Sequence, residues 1–145
     1  MAFKRWAVAA LYTGLGLTIV AAVVPFATTE LLADHIRAGY PAYDSASVDK
    51  AVDTYLVLLA VIGGLGAIAW LGTAWAVATE KRWARPTATT ILVAGLGVAL
   101  TALLITDTSG DTGLPAALGW LGMVPCLAGI VAVALLWRRP ALSTR

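Results

Sequence analysis

Four long stretches of the chain contain no Asp, Glu, Lys, Arg or His, and each is about long enough to cross a bilayer as a helix. They cover approximately residues 6–29, 54–79, 86–106 and 113–137. A surface helix of a soluble bundle shows a polar face every three or four residues, whereas these stretches are apolar all round. They also lack the alternation of membrane barrel strands. The pattern predicts an all-α integral membrane protein with four transmembrane helices.

The polar segment at residues 29–53 is longer than a turn between two helices needs. Residues 30–37 are predicted to continue the first helix or to lie along the membrane interface. Gly39 is expected to end that helix, because glycine is common just past helix ends. Pro41 favours a turn, and residues 44–47 offer an N-cap for the second span. We therefore expect residues 1–145 to form one transmembrane domain with a single extended outer segment.

The composition supports a membrane location. Hydrophobic residues make up 60% of the chain and charged residues 12%, with a mean hydropathy of +0.86. Soluble domains carry roughly 25% charged residues, and a soluble fold with so little charge would expose large apolar patches. Cys126 is the one cysteine, so an intrachain disulfide and a multi-thiol metal site are both excluded.

The charges are divided unequally between the two ends of the predicted spans. One end carries Lys4, Arg5, Lys81, Arg82, Arg85, Arg138, Arg139 and Arg145. The other end carries only Arg37 and Lys50, together with every acidic residue except Glu80. Short loops rich in Lys and Arg remain cytoplasmic. We therefore expect both termini and the loop at residues 79–86 to be cytoplasmic, with basic residues that set topology and do not bind nucleic acid. The bias towards Ala, Val, Leu and Arg suggests a bacterial cell (inner) membrane.

The first span also has some features of a signal peptide, because Lys4 and Arg5 precede an apolar run. The run at residues 6–27 is longer than the usual apolar region of about 7–15 residues. Pro25 also stands where a cleavage site needs a small residue. We expect the helix to be retained, while cleavage would leave three spans in the same orientation.

Small residues recur at helical spacing in all four spans and predict close helix packing. The candidate packing glycines are Gly14, Gly64, Gly97, Gly119, Gly122 and Gly129. Self-association through one face, or a substrate path lined by Thr and Gly, is the alternative. If Gly122 packs against another helix, Gly122→Leu is expected to lower stability or shift the oligomeric state more than Leu136→Ala does. Trp70, well inside the second span, is expected to pack or to face lipid and not to stack on a ligand.

Residues that usually carry chemistry are scarce. No ionisable side chain lies inside a span, where such residues mark proton and ion pathways. The sequence contains no P-loop, no G-x-S-x-G and no H-E-x-x-H motif. A metal site built from Glu30, Asp34 and His35 with Asp107 or Asp111 is conceivable, but His35 would point about 100 degrees from the two carboxylates. We expect no enzyme activity, no metal and no cofactor.

The leading functional hypothesis is a non-catalytic accessory or scaffold subunit of a membrane assembly. The alternative is a small oligomeric transporter or channel for a small solute. Beyond the lipid bilayer, the expected partner is another membrane protein or a second copy of the chain. Arg37, Tyr40 and Tyr43 are the candidate partner-binding residues, because rigid aromatic rings beside an arginine are frequent interface anchors. The tyrosine rings could instead lie among lipid headgroups.

Overall fold

The computed structural model describes residues 2–138, which form five helices. These are α1 (Ala2–Ala27), α2 (Thr29–Gly39), α3 (Ser45–Ala78), α4 (Ala84–Leu104) and α5 (Ala116–Trp137). Of the predicted topology residues, Arg139 and Arg145 lie outside the described residues.

The helices α1, α3, α4 and α5 are each long and apolar enough to cross a membrane, which confirms the four predicted spans. Many of their large apolar side chains point away from the protein; Ile68 is 68% exposed and Trp120 is 62% exposed. Such a surface would aggregate in water, whereas in a bilayer it contacts lipid chains of matching polarity. The chain is an all-α, multi-pass membrane protein.

A break at Thr28 separates α1 from α2. Pro25 has no N–H to donate to the preceding turn, which weakens the last turns of α1. The Thr28 side chain donates a hydrogen bond to the Val24 carbonyl at 2.9 Å, and Thr28 itself leaves the helical conformation. The helix resumes at Thr29 as α2, so the segment after the first span forms a separate helix.

The helix α3 begins well before its apolar stretch. The Asp44 side chain accepts a hydrogen bond from the Ser47 N–H at 2.9 Å, which confirms the predicted N-cap of this helix. With 34 residues at 1.5 Å each, α3 is about 51 Å long, against a hydrocarbon layer of about 30 Å. Its first turns lie beside α2, and we name the unit formed by residues 29–56 and the loop at residues 105–115 the cap.

At the opposite end of the bundle, a tight turn joins α3 to α4. The Glu80 N–H donates to the Val77 carbonyl and the Lys81 N–H to the Ala76 carbonyl, the pair of bonds that defines a Schellman motif. Glu80 has a φ of 57°, a conformation that this motif usually assigns to glycine. We name this end of the bundle the basic end; it comprises the start of α1, residues 79–85 and Arg138.

The four spans are packed in the order α3, α1, α5, α4. The helix α1 packs closely against both α3 and α5, and α5 packs against α4, whereas α3 and α4 touch only sparingly. Buried apolar residues close the bundle at the cap (Leu32, Ala33, Ile36, Val48, Val52, Leu56, Leu114, Leu118). A second cluster closes it at the basic end (Leu11, Ala74, Ala76, Val77, Ala84, Ala132). Between the two clusters, α3 and α4 diverge around an open space that we name the cleft.

Candidate functional site

Polar bonds between distant parts of the chain hold the cap together. His35 Nε2 lies 2.6 Å from the Thr112 carbonyl oxygen, so this nitrogen carries the hydrogen and donates it. The Tyr40 hydroxyl shares a hydrogen bond of 2.8 Å with the Thr108 hydroxyl. The first bond ties α2 to the loop between α4 and α5, and the second ties the residue after α2 to the same loop. Beneath them, the α2 residues Leu32 and Ile36 pack on the start of α3. The cap is therefore a folded unit, which is more than a connection between two helices requires.

The loop at residues 105–115 has its own internal order. The backbone N–H and the hydroxyl of Ser109 both donate to Asp107 Oδ1, and these bonds to the charged form hold the pKa of the Asp107 carboxyl below its usual range. Gly110 has a φ of 85°, which only glycine adopts at little cost. Thr106 and Thr112 pair as an antiparallel bridge across the turn.

A cavity of about 190 Å³ lies between α2, α3 and this loop, and His35, Asp107 and Ser109 all line it. These residue types make up the catalytic group of many hydrolases, so their bonding decides what they do here. Ser109 donates to Asp107, and His35 donates to the Thr112 carbonyl. A nucleophilic serine requires a hydrogen bond to its base, and the base a bond to an orienting acid. The observed bonds stabilise a turn and do not activate a nucleophile.

The candidate metal ligands lie in different places. Glu30 and Asp34 lie on the exposed face of α2, while Asp111 accepts a hydrogen bond from the Thr112 N–H at 2.7 Å. His35 and Asp107 line the cap cavity. Within residues 2–138, no three His, Cys, Asp or Glu side chains are grouped so that they could hold a metal ion.

The three candidate partner-binding residues have different surroundings. Arg37 is half exposed and pairs with Asp34 at 2.8 Å and Glu30 at 3.7 Å, both on α2. The Tyr40 and Tyr43 rings stack on each other with their centroids 4.7 Å apart. The Tyr43 side chain remains exposed, whereas Tyr40 is partly buried and tied to the loop. Arg37 and Tyr43 are thus displayed at the surface, while Tyr40 supports that surface.

The described topology residues all lie at the basic end, where Arg5, Arg82, Arg85 and Arg138 are exposed. The Lys4 ammonium pairs with the Glu80 carboxylate at 2.7 Å, which lowers the pKa of Glu80. The Lys81 ammonium lies 5.4 Å from the centre of the Trp75 ring, within the range of a cation–π contact.

The predicted packing glycines divide into two groups. A Cβ added at Gly14 would lie 2.4 Å from Trp70, and one at Gly119 or Gly129 would lie 2.8 Å from a leucine of α4. Helices touch at these three positions. A Cβ at Gly64, Gly97 or Gly122 would meet nothing within 4 Å. Within the described residues these three positions make no close helix contact. The packing contact on which the expected effect of Gly122→Leu rested is therefore not observed, whereas Leu136 packs against the buried cluster at the basic end.

Trp70 packs inside the bundle between α1 and α5. Its indole N–H donates to Thr18 Oγ1 at 2.7 Å, and its ring lies against Gly14 and Gly129. Because glycine has no side chain, these two positions leave room for the ring between the helices. A lone tryptophan in an apolar span does not indicate from sequence which glycines its ring will contact. One edge of the ring also lines the cleft.

The cleft has a volume of about 400 Å³ and is lined by residues from all four spans. Its walls are apolar except for Thr18, Thr73, Cys126 and the Trp70 indole. The Thr18 hydroxyl accepts from Trp70, and the Thr73 hydroxyl donates to the Ala69 carbonyl. The sequence did not predict this feature, since equal small-residue patterns occur on helix faces that touch and on faces that separate.

No protein-family model, curated protein or solved structure matches this chain.

Proposed function

We propose that the protein is a non-catalytic accessory or scaffold subunit of a membrane assembly, and that it associates with its partner through the cap. One observation carries the proposal: the cap is held as a folded unit by His35–Thr112 and Tyr40–Thr108 contacts, and it displays Arg37 and Tyr43 at its surface. A surface organised before binding loses less conformational entropy on association. Tyrosine and arginine are also frequent anchors of protein interfaces.

The proposed setting is a bacterial cell membrane, with the basic end in the cytoplasm and the cap outside. The exposed Arg5, Arg82, Arg85 and Arg138 at one end support this orientation. Reporter domains inserted near Ser45 or within residues 107–111 should report the outside. Reporters inserted within residues 81–85 should report the cytoplasm. A cytoplasmic signal from the cap insertions would reverse the proposed map.

Co-purification in a mild detergent tests the association. The double variant Arg37→Ala/Tyr43→Ala should remain folded and lose a stoichiometric protein partner that the wild type retains. Lys50→Ala is the matched control, because it removes an exposed charge from the α3 part of the cap without changing α2. Tyr40→Phe keeps the ring stack and tests whether the Thr108 bond matters for partner recovery. Full partner recovery by a folded double variant would contradict the proposal.

A transporter or channel for a small polar solute has less support. The cleft is closed by buried clusters towards both ends of the bundle, so it does not form a continuous path across the membrane. The hydroxyls of Thr18 and Thr73 on its walls are both engaged in hydrogen bonds. A polar solute that loses its water inside a membrane needs replacement partners, and these walls supply few.

A further inference from the structure

The mouth of the cleft lies in the middle of the membrane spans. Ile62 and Leu65 on α3, and Gly95 and Val98 on α4, line the cleft and are exposed. Lining residues nearer the two ends of the bundle are buried (Leu11, Thr73, Ala88, Leu114, Leu118). Ala99 on α4 and Cys126 and Gly129 on α5 also line the cleft and are buried. The cleft therefore opens sideways, between α3 and α4, into the hydrocarbon layer.

The cleft is elongated along the spans. Lining residues run from Leu59 to Thr73 on α3 and from Ala88 to Ala102 on α4, which at 1.5 Å per residue is about 21 Å along each helix. A space of about 400 Å³ that extends over this length is long and narrow. An extended hydrocarbon chain that lies along the spans matches this shape.

The chemistry of the walls also favours hydrocarbon. The described part of the chain has no buried side-chain nitrogen or oxygen without a hydrogen-bond partner, so the walls leave no buried donor or acceptor unpaired. Apolar cavities of this kind do not hold water. If the cleft were empty, the atoms that line it would lack dispersion contacts on one side. Because the mouth faces the bilayer, lipid chains are the molecules available to fill it.

Charges at the basic end indicate where the lipid head lies. Arg85, Ala88, Leu92 and Gly95 follow one another at helical spacing on one face of α4, and the last three line the cleft. The turn that joins α3 to α4 adds Lys81 and Arg82. Arg82 and Arg85 form no ion pair with any residue in the range 2–138. A lipid phosphate at this end would meet two exposed guanidinium groups that can bind it through paired hydrogen bonds.

We propose that the cleft binds one acyl chain of an anionic phospholipid, whose head lies against Arg82 and Arg85 at the basic end. This site is separate from the cap surface and does not depend on the proposed function. It is also distinct from the ordinary lipid layer around the protein, because its walls come from all four spans.

Native mass spectrometry tests the stoichiometry and the site. Protein from nanodiscs containing equal amounts of phosphatidylglycerol and phosphatidylcholine is transferred to a mild detergent before measurement. The wild type should retain one phospholipid. Gly95→Leu and Gly122→Leu, which fill the cleft from two different helices, should retain none. Gly97→Leu adds the same side chain at a glycine with equal space that does not line the cleft, so it should retain the lipid.

Equal retention by folded wild-type and cleft-filled proteins would overturn the proposal and indicate surface lipid only. Circular dichroism and the thermal transition establish that each variant is folded, and either of the two cleft-filling variants suffices for the test. The Arg82→Ala/Arg85→Ala variant should still retain one lipid but lose a several-fold preference for phosphatidylglycerol. An unchanged preference would overturn the assignment of the head.

Fluorescence quenching locates the chain without relying on mass. A variant that keeps only Trp70 is compared with one that keeps only Trp120, which is lipid-exposed. Phospholipids with brominated acyl chains should quench both. Gly122→Leu should then reduce quenching of Trp70 alone, because this ring lines the cleft. Undiminished quenching of Trp70 in that variant, or a Trp70 that is not quenched in the wild-type background, would contradict a chain in the cleft.

Discussion

The cap and the cleft are built from the same chain, yet they are packed in opposite ways. In the cap, α2 buries Leu32 and Ile36, and polar bonds from distant residues close the remaining space. In the cleft, four helices that satisfy their own backbones leave a space of about 400 Å³ between them. Water drives apolar residues together, whereas lipid does not distinguish a helix neighbour from another lipid. A membrane bundle can therefore remain open where a cap in water must close.

The largest effect should come from a cavity in the cap. Leu32 is fully buried, and Leu32→Ala is expected to lower the free energy of unfolding by about 2–5 kcal/mol. Gly122→Leu adds a similar volume in the cleft and should change it by less than about 0.5 kcal/mol, as at an exposed site. Unfolding by sodium dodecyl sulfate in mixed micelles measures both. Comparable losses from the two variants would show that the cleft is closed in the folded protein.

A closed helix contact should respond more strongly to added volume than the cleft does. At Gly14 even a Cβ would approach within 2.4 Å of Trp70, so Gly14→Leu must displace the indole or separate α1 from α3. We expect a loss of about 1–3 kcal/mol, the usual cost of overpacking. The same unfolding assay, with Gly97→Leu as the control, makes the comparison. Equal stability of the two variants would contradict the seating of Trp70 between α1 and α5.

Removing one polar contact of the cap should have a smaller, local effect. Tyr40→Phe keeps the ring stacked on Tyr43 and removes the bond to Thr108. A single hydrogen bond contributes about 0.5–1.5 kcal/mol. We expect faster hydrogen exchange in residues 105–115 and unchanged exchange in α4 and α5. Faster exchange throughout the bundle would mean that the loop is not an independent part of the cap.

Acid should produce the smallest effect, confined to the same loop. Hydrogen bonds from Ser109 lower the pKa of Asp107 below its ordinary value of 3.8. A carboxyl group whose pKa is lower in the folded protein stabilises the fold at pH values above its pKa in the unfolded chain. That stabilisation is lost as the pH falls through its pKa in the folded protein. The Ser109 amide resonance should therefore titrate with a midpoint below 3.8 and stop titrating in Asp107→Asn. A midpoint at or above 3.8 would contradict the bonded geometry.

Much of the architecture could be predicted from the sequence because it follows from local rules. Charge-free length identifies the four spans, and Asp44 begins α3 through a local hydrogen bond from the Ser47 N–H. The helix α2 ends at Gly39, as expected. For residues 30–37 the sequence permits either a continuation of the first helix or a segment along the membrane interface. The structure shows a separate helix, because Thr28 leaves the helical conformation three residues after Pro25 and α2 then packs on the start of α3.

The partners of each helix face could not be predicted in the same way. Gly14 and Gly122 occur in equivalent small-residue patterns, but Gly14 touches Trp70 and Gly122 faces the cleft. Spacing along a helix shows which residues share a face, and not which face meets another helix. His35, Asp107 and Ser109 likewise come together only because α2 folds back beside the loop, from more than 70 residues away. Nothing local in the sequence signals that contact.

Photo-crosslinking in cells tests most directly whether the protein associates through the cap and not through the cleft. Benzoylphenylalanine replaces Tyr43 on the cap in one protein and Val98 at the cleft mouth in another, since both side chains are exposed. We expect a discrete protein adduct from position 43 and lipid adducts without a protein adduct from position 98. A protein adduct from position 98 with none from position 43 would contradict association through the cap, and would place the interface between α3 and α4 within the membrane.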